Sequence, residues 1–496
     1  MRLKISARKS DLARLQAYQV GNALKKKFAE LEIQYNFRES LGDKNLTDPL
    51  WRMPEKGVFT EDFVQDLLDG NTDLVVHSWK DLPTAPRVGT QIVATMSRAD
   101  QRDLLLFKKN DADKVRSSKH LKVFSSSPRR AYNLENFLKT HMPYGLRSVE
   151  FCNVRGNIQT RVRKMMEDPD VSALIVAKAA IDRLLTVEEP EFAETKNYLR
   201  ACLQELNWMA LPLSVNPNAA AQGALAIEIK NGRDDLLPFL KTIDCPETFT
   251  SAQKERDVLA SFGGGCHQKI GVAILKRPYG ELYFLKGLTD AGQVLNQRTI
   301  QDRDVDSKFS AEQMGSSKEL HVSRTDLPNV VVPKDAALYI TKSEAKPAGL
   351  YPIGLLWTAG LRTWEALAAE GLWVHGSSES LGEIEDPRVD ALNGSPVLWT
   401  KLTHQGAADE TSRMKTVATY QIAISTDAWA IGKREAFYWH SGSQFLAALA
   451  KDLALKEKNH FCGPGNTYKI LRDKLGPEAS IEVYLDEEDW RKSCSR

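Results

Sequence analysis

Charged side chains follow two stretches that the sequence pattern predicts to be strands. In the segment VVHSWKDLP, Lys80 and Asp81 come directly after an apolar run that ends at His77. Open α/β sheets bind ligands at the carboxyl ends of their strands. A lysine there can bind an anion, and an aspartate can stabilise a cation. A solvated turn ended by Pro83 is the competing interpretation, and the pattern alone leaves both open.

The segment SSSPRR has three hydroxyl side chains that lead from a predicted strand into a predicted helix. Hydroxyls and the free N–H groups of a helix start favour anions. Two arginines in the first helical turn oppose the helix dipole, so a bound anion is the natural reason for them. A solvated arginine face is the alternative. The residues concerned are Ser125, Ser126, Ser127, Arg129 and Arg130.

The segment NVRGNIQTRVRK repeats this strand–turn–helix arrangement. Arg155 follows a predicted strand, Gly156 allows a tight turn, and Asn157 can cap the helix that carries Arg161. Arg8 also follows a strand. Guanidinium groups bind carboxylates with two parallel hydrogen bonds. Together these arginines predict a cleft for a small molecule that carries several carboxylates.

The segment FGGGCHQKIG places Cys266 behind three glycines. Such a loop leaves the thiol unshielded, although a glycine-rich turn with an incidental cysteine is the simpler interpretation. The segment does not match the dinucleotide-binding or P-loop patterns, so nucleotide binding has little support.

Composition limits the class of protein. The chain has 496 residues, is 42% hydrophobic, and carries 67 Lys and Arg against 65 Asp and Glu. These values are ordinary for a globular protein of about three domains and exclude collagen-like, disordered and disulfide-scaffold classes. A net charge of +2 argues against a protein that coats nucleic acid.

The six cysteines include no CxxC pair, and their spacing is irregular. This pattern favours reduced thiols and a cytoplasmic location. We find no zinc spacing, no signal-peptide core and no run of 18 apolar residues. We therefore expect no metal site, no partnership with nucleic acid and no membrane association.

Predicted strands alternate with helices over the first 240 residues, which indicates α/β architecture with largely parallel sheets. Examples are strands at Asp73–His77 and Ala173–Ala177 and a helix over Asp11–Leu31, with Ser10 as its N-cap. From Cys245 the pattern is one helix and three strands, typical of a small α+β unit. Residues 303–335 are charged and aperiodic and are predicted to be a linker. From Ala336 the α/β alternation resumes.

Several motifs occur in the order found in hydroxymethylbilane synthases, also called porphobilinogen deaminases, and the first 300 residues resemble that family. The motifs are LKISARKSDLARLQ, GDKNL, EKGVFTEDF, DLVVHSWKDLPT, SSSPRRAYNL, VRGNIQTRVRK, AQGALAIE and GGGC.

The resemblance implies two periplasmic-binding-protein-like α/β lobes plus a small α+β domain, here followed by a C-terminal α/β domain. Residues 1–97 with 217–241 are expected to form the first, catalytic lobe, and 98–216 the second, anion-binding lobe. Residues 242–302 are expected to form the cofactor-attachment domain. The linker at 303–335 then leads to residues 336–496.

The family joins four porphobilinogen molecules head to tail, loses ammonia at each step, and releases hydroxymethylbilane by hydrolysis for haem biosynthesis. Its dipyrromethane cofactor is held by a thioether, which here falls on Cys266. The resemblance implies Asp81 and Lys80 as catalytic groups. It implies cofactor contacts from Arg8, Ser10, Lys80, Asp81, Ser125, Ser126, Ser127, Arg129 and Arg130. It implies substrate contacts from Arg8, Arg155, Gly156, Asn157, Arg161, Gln222 and Lys56, the last on a mobile lid.

Physical chemistry agrees with these roles. Loss of ammonia leaves a cationic azafulvene, and a carboxylate about 4 Å away contributes roughly 4 kcal/mol at an effective dielectric of 20. Each pyrrole carries an acetate and a propionate, which the arginines neutralise. The chain departs from the family pattern at Pro128, at Ala221 (usually glycine) and at Lys269 (commonly proline).

Residues 336–496 resemble part of uroporphyrinogen III synthase through four segments: TAGLRTWEALAAEGLWV, TVATYQIA, FYWHSGSQFLAAL and CGPGNTYKILRDKLG. The segment is short for that two-domain family. Thr419 and Tyr420 match a tyrosine-bearing segment near that family's cleft, and Ser441 and Thr467 are candidates to bind carboxylates.

Three hypotheses follow from the sequence. The first is a monomeric synthase whose C-terminal domain is degenerate and serves stability or docking, with hand-over of product to a separate uroporphyrinogen III synthase left open. The second is a bifunctional enzyme that also cyclises the bilane to uroporphyrinogen III. The third is a non-enzymatic, periplasmic-binding-like ligand-binding module.

Overall fold

The computed structural model of the chain describes residues 2–39, 60–265, 268–302, 308–383, 385–407 and 414–494. In these ranges, five separate sheets alternate with helices. The α/β class predicted from the sequence is therefore confirmed. The prediction of largely parallel sheets is wrong for the first two sheets, because the strands Leu225–Lys230 and Asp103–Lys108 each run antiparallel to both of their neighbours.

Two five-stranded sheets account for residues 2–230. Their elements in chain order are β1 (Arg2–Arg8), α1 (Asp11–Lys27), β2 (Glu32–Arg38), α2 (Glu61–Leu68), β3 (Leu74–Ser78), β4 (Thr90–Ala94), β5 (Asp103–Lys108), α3 (Ala112–Ser118), β6 (His120–Phe124), α4 (Pro128–His141), β7 (Ser148–Cys152), α5 (Ile158–Glu167), β8 (Ala173–Ala177), α6 (Lys178–Thr186), α7 (Ala193–Gln204), β9 (Leu206–Ala210) and β10 (Leu225–Lys230). The first sheet has the order β2-β1-β3-β10-β4, and the second has the order β7-β6-β8-β5-β9.

The apolar runs behave as their patterns predict. All five residues of β8, ALIVA, are buried, as expected for a strand covered on both faces. Helix α1 is shorter than predicted and ends at Lys27 rather than Leu31. Three consecutive lysines form its last turn, where cations favour the negative end of the helix dipole.

The chain passes between the first two sheets twice. We call residues 95–102, between β4 and β5, the first crossing segment. Residues 211–224, between β9 and β10, are the second crossing segment. Both segments lie close to the residues that the sequence singles out for chemistry.

A small antiparallel sheet follows. After α8 (Leu237–Leu240), which packs in the core of the first sheet, come α9 (Pro246–Ser261) and the strands β11 (Gly271–Arg277), β12 (Gly280–Leu288) and β13 (Val294–Gln301). Strands β11, β12 and β13 pair in sequence order. The predicted helix followed by three strands is confirmed.

Residues 308–494, which we call the C-terminal unit, contain two sheets. Their elements are β14 (Met314–Ser316), β15 (His321–Asp326), β16 (Ala337–Ile340), β17 (Leu356–Thr358), α10 (Leu361–Ala369), β18 (Gly376–Ser377), α11 (Asp390–Asn393), β19 (Trp399–His404), β20 (Lys415–Ser425), β21 (Ala436–Trp439), α12 (Gly442–Lys451), β22 (Asn459–Cys462), α13 (Asn466–Leu475), β23 (Ile481–Val483) and α14 (Glu487–Cys494). The sheet orders are β15-β20-β19-β16-β17-β18 and β14-β21-β22-β23.

The structure differs from the predicted linker at 303–335, because β14 and β15 both lie in that range. Strand β14 pairs in parallel with β21, and β15 pairs antiparallel with β20 from His321 opposite Ser425. All six residues of β15 are exposed. The strand therefore lacks the apolar alternation by which sequence reasoning finds strands.

The C-terminal unit shares its hydrophobic core with the second sheet. One buried cluster contains Phe107 and Phe137 together with Trp364 and Leu367. The indole N–H of Trp364 donates to the carbonyl of His141 at 3.0 Å. The C-terminal unit is thus packed against the rest of the chain through a continuous apolar interface.

Candidate active site

Asp81 ends a short 3-10 turn, Trp79–Asp81, which directly follows β3. The turn is anchored because Trp79 is fully buried and the Arg256 guanidinium of α9 donates to the carbonyls of Trp79 and Leu82 at 3.2 and 3.1 Å. Asp81 itself is exposed. A fixed turn therefore presents a carboxylate to solvent at the carboxyl end of a strand, as the sequence predicted.

Lys80 points back into the protein. Its Nζ donates to Oε1 of Gln222 at 3.1 Å. Burial lowers the pKa of Lys80 from its ordinary value of 10.5, and the neighbouring Asp81 carboxylate opposes this shift. Gln222, which was expected to contact substrate, is buried. In the structure its contact with the site is made through Lys80.

The centre of the buried network is Asp103, a residue that the sequence analysis missed. Its carboxylate accepts hydrogen bonds from Arg130 at 2.6 Å, Arg129 and Asn216 at 2.8 Å, and Gln222 at 2.9 Å. Burial opposes its ionisation, but Arg130 and Arg129 hold the pKa of Asp103 well below its usual range. The available signal was an acidic residue at the start of an otherwise apolar strand, DLLLFK.

Arg129 and Arg130 were expected to bind an anionic ligand, and the structure places both inside this network. Arg129 also donates to Oδ1 of Asn216 at 2.8 Å and to the carbonyl of Pro217 at 2.7 Å. Arg130 also donates to the carbonyl of Ile175 at 3.0 Å. Arg129 therefore joins the second sheet to the second crossing segment, whereas Arg130 joins α4 to strand β8 of the second sheet.

The three serines hold two loops together. Ser126 Oγ donates to the carbonyl of Val154 at 2.7 Å and accepts from the Val154 N–H at 2.9 Å. Ser127 caps α4 by accepting from the Arg130 N–H, and Ser125 is buried and accepts from the Ser127 N–H. The Ser126 hydroxyl thus joins the SSSPRR turn to the NVRG turn, while Ser125 and Ser127 order the SSSPRR turn itself.

The NVRGN turn has the predicted geometry. Asn157 caps α5 and accepts from the Thr160 N–H at 2.9 Å. Gly156 has a φ of +116°, and an added Cβ would lie 2.7 Å from Thr160 Cγ2, so glycine is required there. Arg161 Nε donates to the Gly156 carbonyl at 2.7 Å, which fixes this side chain above the turn.

Arg161 lies among other cations. Burial and the charges of Arg130, Arg155 and Arg8 lower its pKa to about 10, while Asp81 raises it. The structure therefore brings together groups from both sheets: Arg8 at the end of β1, Asp81 after β3, and Arg155 after β7. Ser10 begins α1, and its hydroxyl makes no capping bond within that helix.

The glycine loop after α9 packs against the Asp81 turn. Gly263, Gly264 and Gly265 have φ values of +97°, +70° and +102°, which glycine adopts without strain. A Cβ on Gly264 would lie 2.3 Å from Oγ1 of Thr84. The loop therefore lies close to Thr84, which follows Asp81 by three residues in the sequence. Cys266 itself lies outside the described residues, as does Lys56.

Ala221, which stands where the family usually has glycine, has a φ of +62°. This left-handed conformation explains the usual glycine, because a Cβ is strained there. The Ala221 N–H donates to the buried Glu255 carboxylate at 2.8 Å. Glu255 also accepts from Arg98 at 2.6 Å, so α9 holds both crossing segments.

The residues predicted to bind carboxylates in the C-terminal unit are engaged locally. Ser441 caps α12 and donates to Gln444 at 3.1 Å. The Tyr420 ring lies under the Arg324 guanidinium, 4.2 Å from its carbon. The Thr419 hydroxyl is buried, and Thr467 lies in the first turn of α13. The binding of carboxylates by Ser441 and Thr467 stays a prediction.

Two further observations bear on the predicted environment. The described cysteines, Cys152, Cys202, Cys245, Cys462 and Cys494, are free thiols. Among the helices that the structure describes, none is sufficiently long and apolar to span a bilayer.

Comparisons with known proteins bear on the same region. A family model described as "Porphobilinogen deaminase, dipyromethane cofactor binding domain" matches residues 3–237. A porphobilinogen deaminase from Syntrophomonas wolfei is 33% identical over 288 residues, which cover 58% of this chain and 84% of the relative. One from Burkholderia orbicola is 32% identical over 295 residues, covering 59% of this chain and 80% of the relative.

Among solved structures, the periplasmic aliphatic sulphonate binding protein SsuA from Escherichia coli is similar to 52% of this chain. The match covers 70% of that protein at 14% identity, with a TM-score of 0.26. A score this low supports no conclusion about this chain.

Proposed function

The chain belongs to the porphobilinogen deaminase family, and we propose from this that it is a hydroxymethylbilane synthase. It joins four porphobilinogen molecules head to tail, releases ammonia at each step, and frees the linear tetrapyrrole by hydrolysis. The first two sheets correspond in this proposal to the two periplasmic-binding-like lobes, and the three-stranded sheet to the cofactor-attachment domain.

One observation carries the proposal. The Asp81 carboxylate, on its fixed turn, raises the pKa of Arg161. The positive charges of Arg130, Arg155 and Arg8 lower the same pKa. Like charges repel one another, so a group of four arginines near one carboxylate favours the binding of anions. A pyrrole with an acetate and a propionate supplies two carboxylates per unit, and a growing chain supplies more.

The residues present fit a covalently held dipyrromethane. The glycine loop that carries Cys266 is held against the Asp81 turn by the close approach of Gly264 to Thr84. In the proposal Cys266 holds the group as a thioether, and Arg8, Arg155 and Arg161 bind its carboxylates. When bound, this group supplies the free pyrrole position to which the first substrate is joined.

Asp81 is the catalytic carboxylate in this proposal. Its carboxylate accepts a hydrogen bond from the pyrrole N–H of the substrate and stabilises the positive charge that develops as ammonia leaves. Lys80 stays beside it because Gln222 and Asp103 hold its side chain from behind. Its ammonium group adds positive charge beside the Asp81 carboxylate, and that carboxylate opposes the lowering of the Lys80 pKa by burial.

The decisive experiment is the intact mass of the purified protein, with and without added porphobilinogen. We expect the mass of two pyrrole units on the wild type and, after addition of substrate, species that carry further units. Cys266→Ser should lack the added mass, whereas Cys152→Ser, which removes a thiol from the second sheet, should retain it. A Cys266→Ser protein with the added mass would contradict the assignment.

Asp81→Asn tests the catalytic role. We expect it to retain the cofactor mass and to lower kcat by about 10²–10³-fold, the usual loss when a transition-state charge partner is removed. Asp69→Asn, at the exposed end of α2, removes the same charge from the same sheet region and should leave kcat within twofold. A normal turnover rate for Asp81→Asn would refute its role.

A further inference from the structure

Movement between the first two sheets must bend the two crossing segments, because the chain joins these sheets only there. The second crossing segment also carries side chains of the buried network. Asn216 donates to Asp103 at 2.8 Å, and Gln222 accepts from Lys80 at 3.1 Å. The position of this segment therefore sets the position of Lys80.

One loop of the C-terminal unit contacts both crossing segments. Glu379 accepts from the backbone N–H groups of Leu213 and Ser214 at 2.9 and 2.7 Å, one on each carboxylate oxygen. Eight residues further along the chain, the Pro387 carbonyl accepts from Arg102, the last residue of the first crossing segment, at 2.6 Å.

Glu379 is held in a strained conformation for this contact. Glu379 and Ser380 have φ values of +52° and +63°, so two consecutive non-glycine residues adopt the left-handed region. The Ser380 N–H donates to the Ala359 carbonyl at 2.7 Å, and the Glu379 side chain is buried. Such strain persists only where the surroundings over-determine the backbone, and it concentrates at functional contacts.

The Glu379 carboxylate is the acceptor for two backbone N–H groups at the start of the second crossing segment. The N–H groups of Leu213 and Ser214 lie at the start of the segment, next to a buried apolar residue, Leu213. Without the carboxylate, both donors lose their charged acceptor. Ser214 is two residues from Asn216, which accepts from Arg129 and donates to Asp103, so displacement here reaches the network directly.

We propose that Glu379 is a positioning residue for the deaminase reaction: it fixes the second crossing segment and thereby sets Lys80 and Asp103 relative to Asp81 while the bound chain lengthens. The inference rests on the proposed function. It gives the C-terminal unit a role in elongation that does not require a reaction of its own.

The test uses the full chain with its cofactor and the variants Glu379→Gln, Glu379→Asp and Glu385→Gln. Gln keeps one oxygen acceptor but turns an amide N–H₂ toward the other backbone donor. Glu385 is the matched control, because it lies on the same loop and has the same charge but pairs with Arg277 of β11. For each variant, kcat, KM and the masses of protein with added pyrrole units are measured below the melting temperature.

For Glu379→Gln we expect normal cofactor mass, KM within twofold, kcat about tenfold lower, and accumulation of partly elongated species. Amide hydrogen exchange over residues 211–219 should become faster. Glu379→Asp should lower kcat about threefold, and Glu385→Gln should stay within twofold of the wild type. A purely structural role would lower the melting temperature and leave the distribution of elongated species unchanged.

A Glu379→Gln protein with wild-type kcat, or an equal loss in Glu385→Gln, would overturn the inference. If Glu379→Gln does not fold, an unchanged kcat and elongation pattern in Glu379→Asp would overturn it instead. The proposed function fails separately, on a wild-type protein that carries no pyrrole mass and makes no bilane.

Discussion

The loop edge that carries Asp81 and Arg161, which we call the cleft, and the C-terminal unit are both built from strands that end in polar loops, yet they use those loops differently. At the cleft, Asp81 is exposed, and Arg161 has three arginines and one aspartate as charged neighbours. In the C-terminal unit, Ser441 caps its own helix, Lys401 pairs with Glu383 at 2.6 Å, and His404 contacts Ser443 at 3.0 Å.

The difference shows what turns a loop edge into a site. At the cleft, a second layer of charge stands behind the first, in which the buried Asp103 carboxylate pairs with both Arg129 and Arg130. In the C-terminal unit, the loop groups contact one another or the crossing segments, and they hold parts of the chain together. The order of strands and helices alone therefore does not tell whether a loop edge binds a ligand, which we call a binding edge, or contacts other parts of the chain, which we call a docking edge.

Removal of the charge behind the cleft is expected to have the largest effect. Asp103→Asn leaves two buried guanidinium groups without their carboxylate, and breaking a buried ion pair in this way typically costs about 3–5 kcal/mol. We expect chemical denaturation to show a loss of this size. At temperatures where the variant is folded, kcat should fall because Lys80 loses its fixed support.

Asp113→Asn is the control for this prediction. Asp113 pairs with Arg116 on the exposed surface of α3, at 2.5 Å. Exposed ion pairs contribute about 0–1 kcal/mol, so this variant should be nearly as stable as the wild type. Equal unfolding free energies of the Asp103→Asn and Asp113→Asn proteins would show that the Asp103 network does not stabilise the fold more than an exposed ion pair does.

Acid is expected to weaken the contact between His375 of the C-terminal unit and Trp208 of the second sheet. His375 contacts the Trp208 ring, its Nδ1 accepts from the Leu356 N–H at 3.1 Å, and burial and Lys109 lower its pKa to about 3. The unfolded side chain binds a proton near pH 6.5, so acid favours the unfolded chain between these two values. We expect a loss of about 1–2 kcal/mol of unfolding free energy at pH 5 from this residue.

His375→Asn separates this effect from the titration of carboxylates. Asparagine keeps an acceptor for the Leu356 N–H but does not titrate, so its stability should depend less on pH between 7 and 5. Denaturation midpoints at pH 7.5, 6 and 5 measure the difference. A variant with the same pH dependence as the wild type would exclude His375 as the titrating group.

The sequence was informative where chemistry and backbone constraints coincide. The family motifs predicted Asp81, the Asn157 cap and the glycine loop, since each depends on local spacing. Asp103 was missed because its partners are 26 to 119 residues away along the chain. The ligand contact of Arg129 stays a prediction; what the sequence does not show is the buried Asp103 carboxylate with which Arg129 pairs.

The C-terminal unit shows the same limit. Strand β15 is exposed along its whole length, so no alternation of apolar and polar side chains marks it. The contact between Glu379 and residues 213–214 joins positions 165 and 166 apart in the chain. Pairings of this kind depend on how the sheets pack, which local periodicity does not encode.

The smallest effect is expected in the residues that resemble a second active site. Because Ser441 already caps α12 and Thr467 lies in the first turn of α13, Ser441→Ala and Thr467→Val should leave kcat and the product unchanged. With porphobilinogen alone, the wild type and both variants should yield a bilane that cyclises spontaneously to the type I uroporphyrinogen. Chromatographic separation of the oxidised porphyrins measures the isomers. The type III isomer from the wild type, lost in either variant, would instead establish the C-terminal unit as a cyclase and reverse the contrast between the two edges.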